Sequence, residues 1–141
     1  MQTLSPFHLA IPVSNLEASR KFYGEILNLE EGRSSEHWTD YNFFGHQLVI
    51  HQTESSAKKV AARSKVDDKE VPIPHFGVVL NWEDFFSFYE EIKNKKITFE
   101  ITPYIRFKGL AGEQVTMFFY DPSQNALEFK AFKNPEQLFA K

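Results

Sequence analysis

Two histidines open two similar stretches of this chain. His8 begins an apolar run and is followed by the aromatic pair Phe22-Tyr23; His75 begins another and is followed at nearly the same distance by Phe88-Tyr89. After each aromatic pair come further strand-like segments, ending in a run with a potential ligand, His51 in the first half and Glu128 in the second. An internal repeat of this length constrains the fold more than any single motif, because each copy must be one supersecondary unit that buries its apolar face.

The pattern within each copy reads strand, helix, strands. Pro6–Val13 (PFHLAIPV) is an apolar, strand-like run. Ser14 is expected to cap the next helix, with Glu17 closing a capping box. Leu16, Phe22, Tyr23, Ile26 and Leu27 form its stripe, and it should end near Asn28. Trp38–Phe44 and Gln47–Gln52 read as a hairpin turning at Gly45-His46. In the second copy His75–Leu80 is a strand. Asn81 caps a helix whose stripe is Trp82, Phe85, Tyr89 and Ile92, Ile97–Ile101 is a strand, and Val115–Tyr120 with Ala126–Phe132 is a second hairpin. The expected fold class is α+β, with one domain over 1–141. It comprises a first module at 5–52, a linker at 53–71 and a second module at 72–133. The linker is polar and reads as an exposed, partly helical connector or a lid, and the residues after Lys133 as an add-on.

Alternation along the strands sorts their side chains by face. The larger apolar residues, such as Phe7, Leu9 and Ile11, should pack the helices. The opposite face then collects His8, His51, His75 and Glu128. Two or three imidazoles and a carboxylate suit a divalent metal. Two His with one carboxylate is the ligand set of non-haem Fe(II) enzymes, and Zn, Ni, Mn and Co accept the same donors. A carboxylate between Leu127 and Phe129 is costly to bury alone, so a metal or a cationic side chain should stand beside Glu128. Arg33 and Arg106 are candidates to grip a substrate carboxylate or enolate, or else pair with a structural acid. Trp38, Phe44 and Phe107 either line a pocket or pack the core. Gly109 and Gly112 suggest a flexible rim loop, and His37 and His46 read as structural.

Composition removes other classes. With no Cys among 141 residues there are no disulfides, thiolate ligands or cysteine nucleophiles. A net charge of -3 argues against nucleic acid as a partner. No apolar run reaches the roughly 18 residues of a membrane span, so no membrane partner is expected. The opening MQTLSPFHLA lacks a signal-peptide pattern, so a cytoplasmic location is expected. GLAG lacks the ending of a phosphate loop.

On these residues the chain resembles the vicinal oxygen chelate superfamily, the glyoxalase/bleomycin-resistance/extradiol-dioxygenase group. The resemblance rests on FHLAIPVSNLEASRKFYGEILNL, GHQLVIHQ, HFGVVL and MFFYDPSQNALEFKAF. Within the group it is most similar to small single-chain proteins described as extradiol-type dioxygenases, through EGRSS, FFGHQ and IRFKG. The resemblance implies paired βαβββ modules whose strands form a cup, with His8, His75 and Glu128 as metal ligands. His51 stands where the glyoxalase I branch usually has a fourth, carboxylate ligand, which leaves it as an acid or base. The implied activity is a metal-dependent oxygenase, Fe(II) first, acting on a small vicinal-diol or enediol substrate. The alternatives are a glyoxalase-like isomerase or lyase, and a metal-free small-molecule binding protein like those of bleomycin resistance. A homodimer is the expected assembly.

Overall fold

The computed structural model describes residues 4–54 and 62–141. It divides into two compact units, Met1–Lys58 with Pro122–Asn125, and Lys59–Asp121 with Ala126–Lys141. The architecture is α+β, with a βαβββ-type module in each unit. Among the described residues no helix is long and apolar enough to cross a membrane.

In the first unit β1 (His8–Val13) leads to helix α1 (Leu16–Arg20), which continues as a wider π-type turn at Lys21–Ile26. Strands β2 (Glu30–Ser34), β3 (Trp38–Phe43) and β4 (His46–Gln52) complete a sheet in the order β1-β4-β3-β2, with β1 parallel to β4. The alternation holds along most of β1: Ile11 and Val13 are buried, while His8, Ala10 and Pro12 are exposed. Phe7 departs from it, being 63% exposed. Leu16, Phe22, Tyr23 and Leu27 are buried on the helical side, and Tyr41, Phe43, Leu48 and Ile50 on the sheet. The π-type turn seats consecutive aromatics, with the rings of Phe22 and Tyr23 edge to face at 4.9 Å and Tyr23 5.8 Å from Tyr41.

Three local expectations change. The helix is capped by Asn15, not by a Ser14–Glu17 box. Asn15 lies immediately before the first helical residue, and its Oδ1 accepts the Ala18 N–H at 2.9 Å. The hairpin turns at Phe44-Gly45, both at positive φ (53° and 89°), which is the backbone pattern of a two-residue turn matched to strand twist. Strand β2 was not expected at all. All five of its residues are exposed, so it carries no apolar period to read.

In the second unit β5 (Ala62–Val66) and β6 (Lys69–Ile73) form a separate antiparallel hairpin. Next come β7 (His75–Phe76), β8 (Val79–Leu80), helix α2 (Trp82–Ile92), β9 (Thr98–Arg106), β10 (Gln114–Tyr120) and β11 (Ala126–Phe132). Its sheet runs β7-β11-β10-β9, with β8 also on β11, and β7 and β8 are parallel to β11. Phe85, Phe88 and Ile92 of α2 are buried, as are Val115, Met117, Phe119, Leu127, Phe129 and Ala131 on one face of the sheet. Phe88 and Phe119 flank Phe129 at 4.8 and 5.6 Å. The phenylalanines thus bind helix to sheet.

The connector expected at 53–71 is corrected over its second part. Residues 55–61 lie outside the described residues, but 62–73 form a hairpin rather than a partly helical link. Asp67 and Asp68, at φ 49° and 61°, supply the two left-handed residues such a turn requires. The strand expected over His75–Leu80 is broken between Phe76 and Val79. Gly77 sits in the break, and a Cβ there would fall 1.6 Å from the Glu128 carbonyl oxygen. Asn81 occupies the cap position of α2, but its side chain donates to Asp84 at 3.2 Å and makes no cap bond to the backbone.

Candidate functional site

In the second unit the parallel register sets His75 opposite Ala126, two residues from Glu128 and on the same strand face. The His75 ring stands edge-on to Phe118 at 5.0 Å, and Phe118 is the cross-strand partner of Glu128. This aims Nε2 of His75 at Glu128 Oε2, 3.0 Å away. Nδ1 lies 2.7 Å from the Pro72 carbonyl, which only accepts, so Nδ1 carries a proton and donates. The other carboxylate oxygen, Oε1, accepts from Thr116 Oγ1 at 2.7 Å and pairs with Lys130 Nζ at 3.2 Å.

The charges in this cluster support one another. Burial works to raise the Glu128 carboxyl, but the His75 hydrogen bond and the Lys130 charge outweigh it and hold it below the usual range. The hydrogen bond to Glu128 lifts His75 above its ordinary value against the opposing effect of burial, with help from the Pro72 carbonyl. The cationic partner expected for a buried Glu128 is therefore present in the protein itself.

In the first unit His8 lies beside Gln47 across β1 and β4. Its Nδ1 is 2.7 Å from Gln47 Oε1, and the Gln47 amide Nε2 donates to Asp40 Oδ2 at 3.3 Å. Asp40 thereby orients the amide so that an acceptor oxygen faces His8, whose Nδ1 donates to it. Arg33 completes this row loosely, 3.9 Å from Asp40 Oδ2 and with its side chain 86% exposed. His51 is on the same face but four residues along β4 from Gln47, roughly 13 Å away along the strand. Its cross-strand neighbour is Trp38.

A profile described as the Glyoxalase/Bleomycin resistance protein/Dioxygenase superfamily matches residues 5–129. The chain belongs to this superfamily. A solved glyoxalase/bleomycin resistance protein/dioxygenase from Alicyclobacillus acidocaldarius is 32% identical, with 96% of each chain covered and a TM-score of 0.76. A glyoxalase/dioxygenase from Nostoc punctiforme is 19% identical over 95% of this chain and 99% of that one, at TM-score 0.68. A lactoylglutathione lyase from Agrobacterium tumefaciens is 16% identical over 100% of both chains, at TM-score 0.65. The last two share the fold. A search of curated proteins found no match.

Superfamily membership makes a metal a reasonable question to put to the donor set. Among the described residues no three His, Cys, Asp or Glu side chains gather into a single ligand set. Within each unit, however, the imidazole is prepared as metal-ligating histidines are. Nδ1 donates to an oxygen, which orients each ring, while Nε2 of His75 is itself engaged by Glu128 and would have to give up that hydrogen bond to bind an ion. His8 in the first unit, and His75 and Glu128 in the second, are nitrogen and oxygen donors of the types that divalent ions accept.

The remaining candidates take different places. Arg106, at the end of β9, pairs with Asp67 of the β5–β6 turn and lies over the Phe107 ring at 4.9 Å. Phe44 and Phe107 occupy positive-φ positions and are 37% and 46% exposed, so neither is core. The loop around Gly109 and Gly112 is tied down rather than loose. Glu113 Oε1 accepts the Gly109 N–H and Gln137 Oε1 accepts the Gly112 N–H, both at 2.6 Å. His46 is structural, its Nδ1 accepting the Phe7 N–H at 2.8 Å. Gln47, Asp40, Thr116 and Asp67 were missed. Alternation places Thr116 and Lys130 on the Glu128 face, and that signal was available in the sequence.

Proposed function

We propose that the protein is a metal-dependent oxygenase of extradiol type acting on a small vicinal-diol or enediol substrate. The metal would be held by His8, His75 and Glu128. The observation that supports this most is the shared preparation of the two histidines, each with Nδ1 engaged by an oxygen acceptor, together with the Glu128 carboxylate 3.0 Å from His75 Nε2. When bound, Fe(II) supplies Lewis-acid polarisation of the diol oxygens and one-electron chemistry toward O₂. Thr116 and Lys130 would hold Glu128 in place. Arg33 and Arg106 are the proposed grips for substrate charge. His51 is the proposed proton carrier, and its distance along β4 from His8 means that it would act on an extended substrate or through water.

A second reading has its own support. Glu128 is already balanced by His75, Thr116 and Lys130, so a metal-free small-molecule binding protein is electrostatically self-consistent. Anaerobic loading with Fe(II), metal analysis after desalting, and O₂ uptake across a catechol panel separate the two. The oxygenase reading expects about one iron per chain and uptake with at least one diol. Metal that is never retained favours the binder. Uptake with no diol, with hemithioacetal isomerisation in Ni or Zn, favours a glyoxalase-like isomerase.

A further inference from the structure

The second unit's sheet has α2 on one face and the β5–β6 hairpin on the other. Val71 of the hairpin is buried with Ile101 and Phe118 of the sheet, and Val66 and Tyr104 pack against that cluster. Phe118 is the cross-strand partner of Glu128, so the hairpin covers the sheet beside the candidate ligands. Among the described residues no backbone ladder joins it to the sheet, and β5 and β6 pair with each other. An isolated two-stranded hairpin is marginally stable in water, so this one depends on its side-chain attachments.

Those attachments are two polar clasps, the small apolar cluster and, at the base, the His75 hydrogen bond to the Pro72 carbonyl. At the first clasp Arg63 Nη1 meets Glu100 Oε1 at 2.6 Å, and Nη2 reaches Tyr120 Oη at 3.5 Å. At the second, the turn residue Asp67 accepts from Arg106 Nε and from the Tyr104 hydroxyl, the latter at 3.4 Å. Lys69 lies over the Tyr104 ring at 4.8 Å. The second clasp has the composition of an anion receptor. It is a guanidinium backed by the Phe107 ring, with a phenol beside it, and the anion in it is the protein's own carboxylate.

We propose that Arg106 and Tyr104 form a carboxylate subsite that Asp67 fills when no ligand is present, and that a carboxylate-bearing ligand exchanges with Asp67 and releases the hairpin tip from the sheet. The inference deepens the proposed function, resting on its reading of Arg106 as a grip for substrate charge and of the Glu128 face as the place a ligand approaches. Exchanging one carboxylate for another keeps the guanidinium paired throughout. The tethered Asp67 competes at an effective concentration of order millimolar, so a simple carboxylate should bind weakly until Asp67 is removed.

The test uses the full chain with metal stripped, so turnover and metal loading do not enter, and sodium benzoate as the probe with benzamide as the uncharged control. By titration calorimetry, Asp67→Asn should bind benzoate at least about tenfold more tightly than wild type. The double variant Asp67→Asn/Arg106→Gln should lose that binding, and benzamide should bind to none of them. By hydrogen exchange, saturating benzoate should expose the 62–73 amides of wild type as far as Asp67→Asn exposes them, while β10 and β11 stay protected. Unchanged benzoate affinity in Asp67→Asn, equal affinity in the double variant, or a hairpin that stays protected under saturating benzoate would each overturn the proposal.

Discussion

His75 Nε2 stands 3.0 Å from Glu128 Oε2, and the same ring is anchored through Nδ1 to the Pro72 carbonyl at 2.7 Å. The imidazole is fixed from behind and aimed forward, so its orientation does not depend on a bound ion. Removing either partner leaves the other poorly satisfied in a half-buried place. Glu128→Gln should lower stability by about 2 kcal/mol, the order expected for a lost charge-assisted hydrogen bond, as read from urea unfolding. His75→Ala should abolish retention of added Fe(II) through desalting. Full iron retention in His75→Ala would remove this residue from the proposed ligand set.

Gly77 decides how closely β7 and β8 approach β11. Its missing Cβ would fall 1.6 Å from the Glu128 carbonyl oxygen and 2.7 Å from its carbonyl carbon. Both atoms are backbone, so nothing flexible can move aside. Gly77→Ala should therefore push the strands apart, break the His75–Glu128 pair and cost about 3 kcal/mol, at the upper end for overpacking. Gly45→Ala is the control. Nothing lies within 4 Å of its Cβ position, and only the positive φ of 89° opposes a side chain there, for a loss of about 1 kcal/mol. Equal losses in the two variants would show that the close approach is not the governing contact.

The two modules and the face assignments were legible because burial imposes a period. β1 alternates along its length and β11 over Leu127–Ala131, and the aromatic pairs mark both helices. The parts that were not legible lack such a period. β2 is exposed along its whole length and is held by its pairing with β3. The β5–β6 hairpin is mostly polar, and Asp67-Asp68 is a weaker turn signal than Asn-Gly. The partner of Arg106 depends on where that hairpin lies, which is a tertiary fact. Asp40 acts on His8 only through Gln47, a relay visible only once the strand register is known.

Tyr41 should give a measurable pH effect. Burial first, then the negative charge of Glu31, pushes its hydroxyl up to about 12. An unfolded tyrosine ionises near 10, so between about 10 and 12 the folded chain holds a proton that the unfolded chain has released. The stability linked to Tyr41 is thus fully present below pH ~10 and is lost as pH rises toward ~12. Urea midpoints should fall across that range, and less steeply in Tyr41→Phe, which loses the long hydrogen bond to Glu31 at 3.4 Å and the one with Arg20. Parallel profiles for the two proteins would mean another group governs the alkaline loss.

The start of α1 offers a test of the capping correction. Asn15 accepts the Ala18 N–H at 2.9 Å through Oδ1, whereas the Ser14 hydroxyl lies 3.3 Å from the Ser123 hydroxyl and makes no cap bond. Asn15→Ala should cost about 1 kcal/mol, as the loss of a helix N-cap does. Ser14→Ala should cost less than half of that, because its backbone N–H, which donates to Ser123 Oγ at 2.9 Å, is retained. Both follow from urea midpoints at constant slope. A larger loss in Ser14→Ala than in Asn15→Ala would restore the Ser14–Glu17 box as the working cap.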